Sequence, residues 1–312
     1  MRPVQLAVVS GKGGTGKTTI TAALAALAPP AVLADCDVDA PNLHLLLDPT
    51  IEGREDFHGL PLASVDAAAC TRCGVCHRTC RFDAIDEGYA VDPAGCEGCG
   101  ACVLACPEGA IRLVERVSGE VLTSSTRFGP MVHATLRAGE GASGKLVCEV
   151  RQRAERLSQS TGRGLIIIDG PPGTGCPVIA TLSGVDLALV VAEPTPSGRQ
   201  GLARAVEVAH HFKVPACAVV NRADWNDDEA RAIEGWCASR GVRALGRLPY
   251  DEAATEAMMA GRTVVEHGDG ALSRAVRALW GELEAMLAPG RDGPRDGGPG
   301  GTAGSRSDED QR

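Results

Sequence analysis

The sequence predicts an α/β protein, a doubly wound parallel sheet with helices on both faces and a cysteine-rich module inserted into it. Three observations carry this. Short apolar strands alternate with helical stretches at both ends of the chain, as in βαβ units. The alternation fails from about residue 65 to 116, where cysteine and glycine dominate. The apolar content, 44% of 312 residues, is mainly aliphatic, because aromatic residues make up only 3%; such residues fill the space between a buried parallel sheet and its helices.

In chain order, Val4 to Val9 reads as a buried strand, Gly11 to Gly16 as a turn, and Thr18 to Ala28 as a helix stopped by Pro29 and Pro30. A strand over 31–34 follows. Further on come strands over 165–168, 187–192 and 216–220, with helices over 201–212 and 228–240 between and after them. The expected organisation is a first α/β part over 1–63, the cysteine module over 64–116, a second α/β part over 117–287 and a disordered tail over 288–312. In that tail Gly, Pro, Arg, Asp and Ser leave no apolar periodicity.

Net charge is −9 and no basic tract is present, so the cationic surface that nucleic-acid binding needs is missing. No stretch near Met1 has the apolar run of a leader or a membrane span, and a cytoplasmic protein is expected. Thirteen cysteines in a reducing compartment point to metal binding rather than disulfides, because eight of them fall in two tight runs.

The run Gly11-Lys12-Gly13-Gly14-Thr15-Gly16-Lys17-Thr18, followed by Thr19, satisfies the phosphate-loop pattern. Its backbone N–H groups cradle phosphate at a helix N-terminus, Lys17 neutralises the β- and γ-phosphates, and Thr18 offers its hydroxyl to magnesium. A glycine-rich chain can meet the fixed positions by accident, but the strand–loop–helix context argues against that. Of the four lysines, Lys12, Lys17, Lys145 and Lys213, two sit in this loop, although arginine supplies nearly every other cation. Two acidic loops follow strand ends, Asp35-Cys36-Asp37-Val38-Asp39 and Asp169-Gly170-Pro171-Pro172-Gly173-Thr174-Gly175, where ligands gather in open α/β sheets. Plain helix caps are the other use of such carboxylates.

The pattern Cys-x2-Cys-x2-Cys-x3-Cys occurs twice, at Cys70, Cys73, Cys76, Cys80 and 26 residues later at Cys96, Cys99, Cys102, Cys106, with Ala84-Ile85 recurring as Ala110-Ile111. This is the run of two-cluster bacterial ferredoxins, in which the fourth cysteine of each run serves the other cluster. One four-iron, four-sulfur cluster is therefore expected on Cys70, Cys73, Cys76 and Cys106, and a second on Cys96, Cys99, Cys102 and Cys80. Zinc, the alternative for paired CxxC motifs, seldom packs three cysteines at successive two-residue gaps. Pro107 follows Cys106 as in the ferredoxin run, whereas Arg81 stands where proline usually follows Cys80. Cys36, Cys148, Cys217 and Cys237 read as buried small residues.

Taken together, Lys-Gly-Gly-Thr-Gly-Lys-Thr at 12–18, the two acidic loops, the cysteine runs, Arg127-Phe128-Gly129-Pro130-Met131-Val132-His133 and Leu248-Pro249-Tyr250-Asp251 resemble the MinD-superfamily P-loop ATPases (SIMIBI type) that contain an inserted ferredoxin domain. Mrp-type iron–sulfur carriers and the nitrogenase iron protein are relatives. The resemblance spans nearly everything before the tail and implies ATP, magnesium and two 4Fe-4S clusters. It makes the acidic loops switch I and switch II, with Asp37 orienting the attacking water and Asp169 the Walker B carboxylate. It gives Lys12 a reach across a homodimer interface to the neighbour's nucleotide, and Asn221 a hydrogen bond to adenine, although a turn or helix cap is the plainer use of Asn221. Cys176 stands seven residues after Asp169, the offset of a cluster-ligating cysteine in the nitrogenase iron protein, with no companion ligand evident. His133 and Arg127 read as structural.

Three functions follow from the resemblance. The first is ATP-gated electron transfer from the clusters to a redox partner. The second is ATP-dependent assembly or carriage of clusters or metal cofactors to an apo-protein acceptor. The third, and weakest, is a MinD- or ParA-like positioning ATPase, because the chain ends in a Gly-Pro-rich acidic tail rather than a basic amphipathic membrane helix.

Overall fold

The computed structural model describes residues 2–288, so nearly all of the expected tail lies outside the described residues. The chain runs β1 (Val4–Ser10), α1 (Lys17–Leu27), β2 (Val32–Asp35), α2 (Leu43–Leu47), β3 (Thr50–His58), β4 (Leu62–Val65), α3 (Val75–Thr79), α4 (Ala101–Ala105), β5 (Ile111–Val114), β6 (Val117–Thr126) and β7 (Gly129–Leu136). It continues through α5 (Ser143–Thr161), β8 (Leu165–Pro172), α6 (Cys176–Leu182), β9 (Leu187–Ala192), α7 (Pro196–His211), β10 (Ala216–Asn221), α8 (Asp227–Ser239), β11 (Arg243–Leu248), α9 (Ala253–Met259), α10 (Val264–His267) and α11 (Ala271–Leu287).

The central sheet has nine strands in the order β11-β10-β9-β1-β8-β2-β7-β6-β3. From β11 to β7 all pairs are parallel, but β6 pairs antiparallel with both β7 and β3. The expected all-parallel sheet is thus a mixed one. The reason is the sequence of β3: the strand is almost wholly exposed and cannot be covered on both faces as a parallel strand must be, so it closes the sheet as an antiparallel edge.

Two apolar layers flank the sheet. One packs α5, α6, α7 and α8 on it through residues such as Leu146, Val150, Leu182, Leu202 and Ile233. The other packs α1, α10 and α11 through Leu24, Val265, Val276, Leu279 and Leu283. Helix α7 begins at Pro196, five residues before the expected start, because Thr195 caps it by accepting from the Gly198 amide and Pro196 suits the first turn.

The cysteine segment is a separate small layer. Its outer strands β4 and β5 pair antiparallel in a two-stranded sheet of their own, around a core of Ala63, Cys76, Ile85, Cys102 and Ile111. The sequence repeat is also a structural one: Gly74 and Gly100 take left-handed backbone at φ 77° and 75°, each opening a five-residue helix that ends at Cys80 or Cys106. Among the described residues no helix is long and apolar enough to cross a membrane.

Candidate functional site

A cavity of about 400 Å³ opens at the carboxyl ends of the central strands. Its walls include Gly13 to Thr19, Asp37 and Asn221, and reach to Tyr250 and Asp251. The phosphate loop forms as expected: β1 ends at Ser10, Gly14 and Gly16 take φ 79° and 84°, and α1 starts at Lys17. Left-handed backbone at these positions is why glycine is required there. Gly11 is required for another reason, since a Cβ on it would collide with the backbone of Gly201 in α7.

Lys17 is 6% exposed and its Nζ lies 2.9 Å from Asp169 and 3.8 Å from Asp37. Thr18 and Thr21 donate their hydroxyls to the two Asp169 oxygens at 2.7 and 2.8 Å. Burial alone would lower the Lys17 pKa, but Asp169, Asp37 and Asp35 outweigh it and hold the ammonium charged. Burial raises Asp37 to about 6 against the opposing pull of Lys17. Asp35 is raised to about 8 by full burial and by the neighbouring Asp169.

Asp35 is placed by the sequence in the first acidic loop but given no role of its own there. Its carboxyl accepts from the amides of Asp37 and Leu43 at 3.1 and 3.2 Å, which fixes the loop carrying Asp37. The D-x-D spacing is the signal that could have found it. Asn221 borders the cavity, but its amide donates to the Thr15 carbonyl at 2.8 Å, bracing the phosphate loop from behind. Lys12 is half-exposed and folded back on its own chain, with Nζ 2.9 Å from Glu193. Glu193 also pairs with Arg222, which donates to the Gly14 carbonyl at 3.1 Å.

The eight module cysteines divide between two cavities. Cys70, Cys73, Cys76 and Cys106 line one, and Cys80, Cys96, Cys99 and Cys102 line the other. The Cys106 sulfur accepts a hydrogen bond from the Ala110 amide at 3.3 Å. Among the described residues no three His, Cys, Asp or Glu side chains converge closely enough to hold a single metal ion.

Of the remaining cysteines, Cys36, Cys217 and Cys237 are buried as expected, and burial raises the last two thiols to about 12 and 11. Cys148 is exposed instead, because it lies on the solvent side of α5, whose buried stripe is Leu146, Val147, Val150, Ala154 and Ser158. Cys176 is exposed at the start of α6. His133 is 6% exposed and bonded to Ser124 at 2.8 Å. Arg127 ties Glu266 to the Leu46 and Leu47 carbonyls. Both are structural.

Helix-terminal amides beside a buried lysine and strand-end carboxylates are what a nucleoside triphosphate needs, and they put this chain among the P-loop nucleotide-binding proteins. It belongs to the CobQ/CobB/MinD/ParA nucleotide-binding domain family, whose model matches residues 6–264. It is 38% identical over 227 residues, 72% of this chain and 80% of the other, to the uncharacterized protein MJ0578 of Methanocaldococcus jannaschii. Among solved structures it is similar to the cell division ATPase MinD of Pyrococcus furiosus, at 20% identity and TM-score 0.56 over 91% of this chain and 99% of that one. MinD of Pyrococcus horikoshii, solved with Mg-ADP, matches at 18% identity and TM-score 0.56 over 92% and 99%. At such identities the likeness concerns the fold.

Proposed function

We propose that this protein hydrolyses ATP with magnesium and uses its nucleotide state to control electron transfer through two 4Fe-4S clusters held by the module. The observation that carries this reading is the division of eight cysteines between two cavities, four to each, in a segment inserted between the loops of Asp37 and Asp169. The donor chemistry fits both groups. Thr18, Asp37 and Asp169 offer the hard oxygens magnesium prefers, and four soft thiolates per cavity suit iron–sulfur clusters, which supply one-electron chemistry when bound.

In the ATPase part, the loop amides and Lys17 receive the β- and γ-phosphates, and Asp37 holds the attacking water in line with the γ-phosphoryl group. The water oxygen bonds to the γ-phosphorus as the bond to the β–γ bridging oxygen breaks, ADP is the leaving group, and the water's proton passes to the inorganic phosphate formed. Loss of the γ-phosphate releases the loops of Asp37 and Asp169 together. Lys12 completes a neighbour's site in a homodimer once it leaves Glu193; ATP-bound Asp37→Ala protein that sediments as a monomer would refute this.

The Mg-ADP of the P. horikoshii protein and the MinD likeness support the nucleotide half of this reading. On likeness alone a positioning ATPase is the better-supported class, since the similar structures include MinD; that reading leaves the eight cysteines without a use. Anaerobic reconstitution separates them. About eight irons per chain and a cluster signal that changes when ATP is added with dithionite are expected. Iron-free protein that associates with a surface or polymer on ATP addition would favour positioning, and cluster lost to an apo-ferredoxin would favour carriage.

A further inference from the structure

The two cysteine cavities are not equally placed with respect to the ATPase part. Around Cys70, Cys73 and Cys76 the hydrogen bonds stay within the module, from the Cys70 amide to Asp66 and from Tyr89 to Arg72. The other cavity is tied outward. Arg116, in the link between β5 and β6, donates to the carbonyls of Pro93 and Cys96 in the module and to that of Leu60 before it. The same guanidinium pairs with Glu140 at 2.9 Å, and each side chain is only 14% exposed. Beside it, a Cβ on Gly98 would strike the Pro61 carbonyl, and a Cβ on Gly141 would lie 3.5 Å from the Glu97 carboxylate.

Glu140 belongs to the turn that leads from β7 into α5, and the first turn of α5 touches the nucleotide side. A Cβ on Gly144 would lie 3.3 Å from the Cβ of Cys176, the residue that follows the Asp169 loop. Lys145 donates to the His58 and Gly59 carbonyls at 3.0 and 2.9 Å, and Arg151 clamps the Ala180 carbonyl of α6 and the Ser183 carbonyl just after it at 2.7 Å each. A movement of the Asp169 loop therefore meets α5 first, then the turn holding Glu140, and then Arg116.

We propose that Arg116 is a positioning residue through which the nucleotide site acts on the module, and that it acts on the Cys80, Cys96, Cys99, Cys102 site alone. The cluster half of this statement rests on the function proposed above; the mechanical half does not. An arginine that hydrogen-bonds three carbonyls and forms an ion pair with a carboxylate around one planar fork transmits a displacement that a lysine, a single point charge, does not.

The test is hydrogen–deuterium exchange of the protein as purified, with and without a non-hydrolysable ATP analogue, in the wild type, Arg116→Ala and Glu140→Gln. The wild type should change protection over residues 93–98 and 137–148 and not over 70–76. Both variants should keep the change over 137–148 and lose it over 93–98; Glu140→Gln alters only the ATPase side and so guards against a misfolded module. No change over 93–98 in the wild type, or its persistence in either variant, overturns the proposal. In iron-loaded protein, the analogue should shift one of two cluster signals, the one altered by Cys99→Ser. Protein that carries no iron defeats the cluster reading, while the exchange result still decides the role of Arg116.

Discussion

In the phosphate loop Lys17 and Asp169 answer each other's buried charge, whereas in the cysteine module the buried sulfurs face backbone amides and other cysteines. Lys17, Asp169, Thr18 and Thr21 close on one another within 3 Å. Cys76 and Cys102 sit in a core of five buried side chains, and burial is the leading cause that raises both of their thiol pKa values. The first region is a finished structure that a ligand enters; the second is a shell too small to hold itself, since a few buried side chains do not offset the entropy of ordering about fifty residues. Stability of the module and occupancy of its cavities should therefore be one quantity, while the ATPase part folds regardless.

The largest effect follows directly. Stripping iron from reconstituted protein with a chelator should open the module, giving protease cuts confined to residues 66–110, while a fluorescent ATP analogue still binds the remaining core. Cuts spread evenly through the chain, or none, would break the contrast. Next, Lys17→Gln should lower ATP turnover by at least about a hundredfold and leave iron content unchanged. A parallel loss of iron would mean that the two regions do not fold independently.

A smaller effect concerns pH. Burial lowers His133 from 6.5 to about 4, so the folded protein binds fewer protons than the unfolded chain between those values. Its contribution is present above pH 6.5 and is lost as pH falls toward 4, by up to about 3 kcal/mol. Thermal unfolding of His133→Gln should show a flatter dependence than the wild type over that range, with the cysteine module unaffected. The smallest change is expected from Glu193→Gln, which frees Lys12 from its pairing. Nucleotide-dependent association, measured by sedimentation, should tighten several-fold, about 1 kcal/mol; unchanged or weaker association would mean that Glu193 does not restrain Lys12.

Much of the ATPase part was legible because its signals are local. Gly14, Gly16 and Lys17 announce their backbone and chemistry within one turn of chain, and β9 runs over the predicted Leu187–Ala192. The antiparallel edge was not legible, because β3 pairs with β6 across the whole inserted module and its polar residues carry no burial pattern. Helix α5 was legible in principle, since Leu146, Val150 and Ala154 repeat every four residues, but its many charges hide that stripe. In the site, Asn221 does border the cavity, and its bond to the Thr15 carbonyl is one that no spacing in the sequence reveals. Arg116 was invisible for the same reason, as its partners lie at residues 60, 93, 96 and 140.

The pairing of β4 with β5 has a consequence for how such a chain can be remade. Leu62 stands opposite Val114, and residues paired in an antiparallel ladder are about 5 Å apart. The inserted segment thus leaves the host and returns to it at nearly the same point. A short turn could replace all of it without moving β3 or β6, and a different module with closely spaced ends could be spliced in its place.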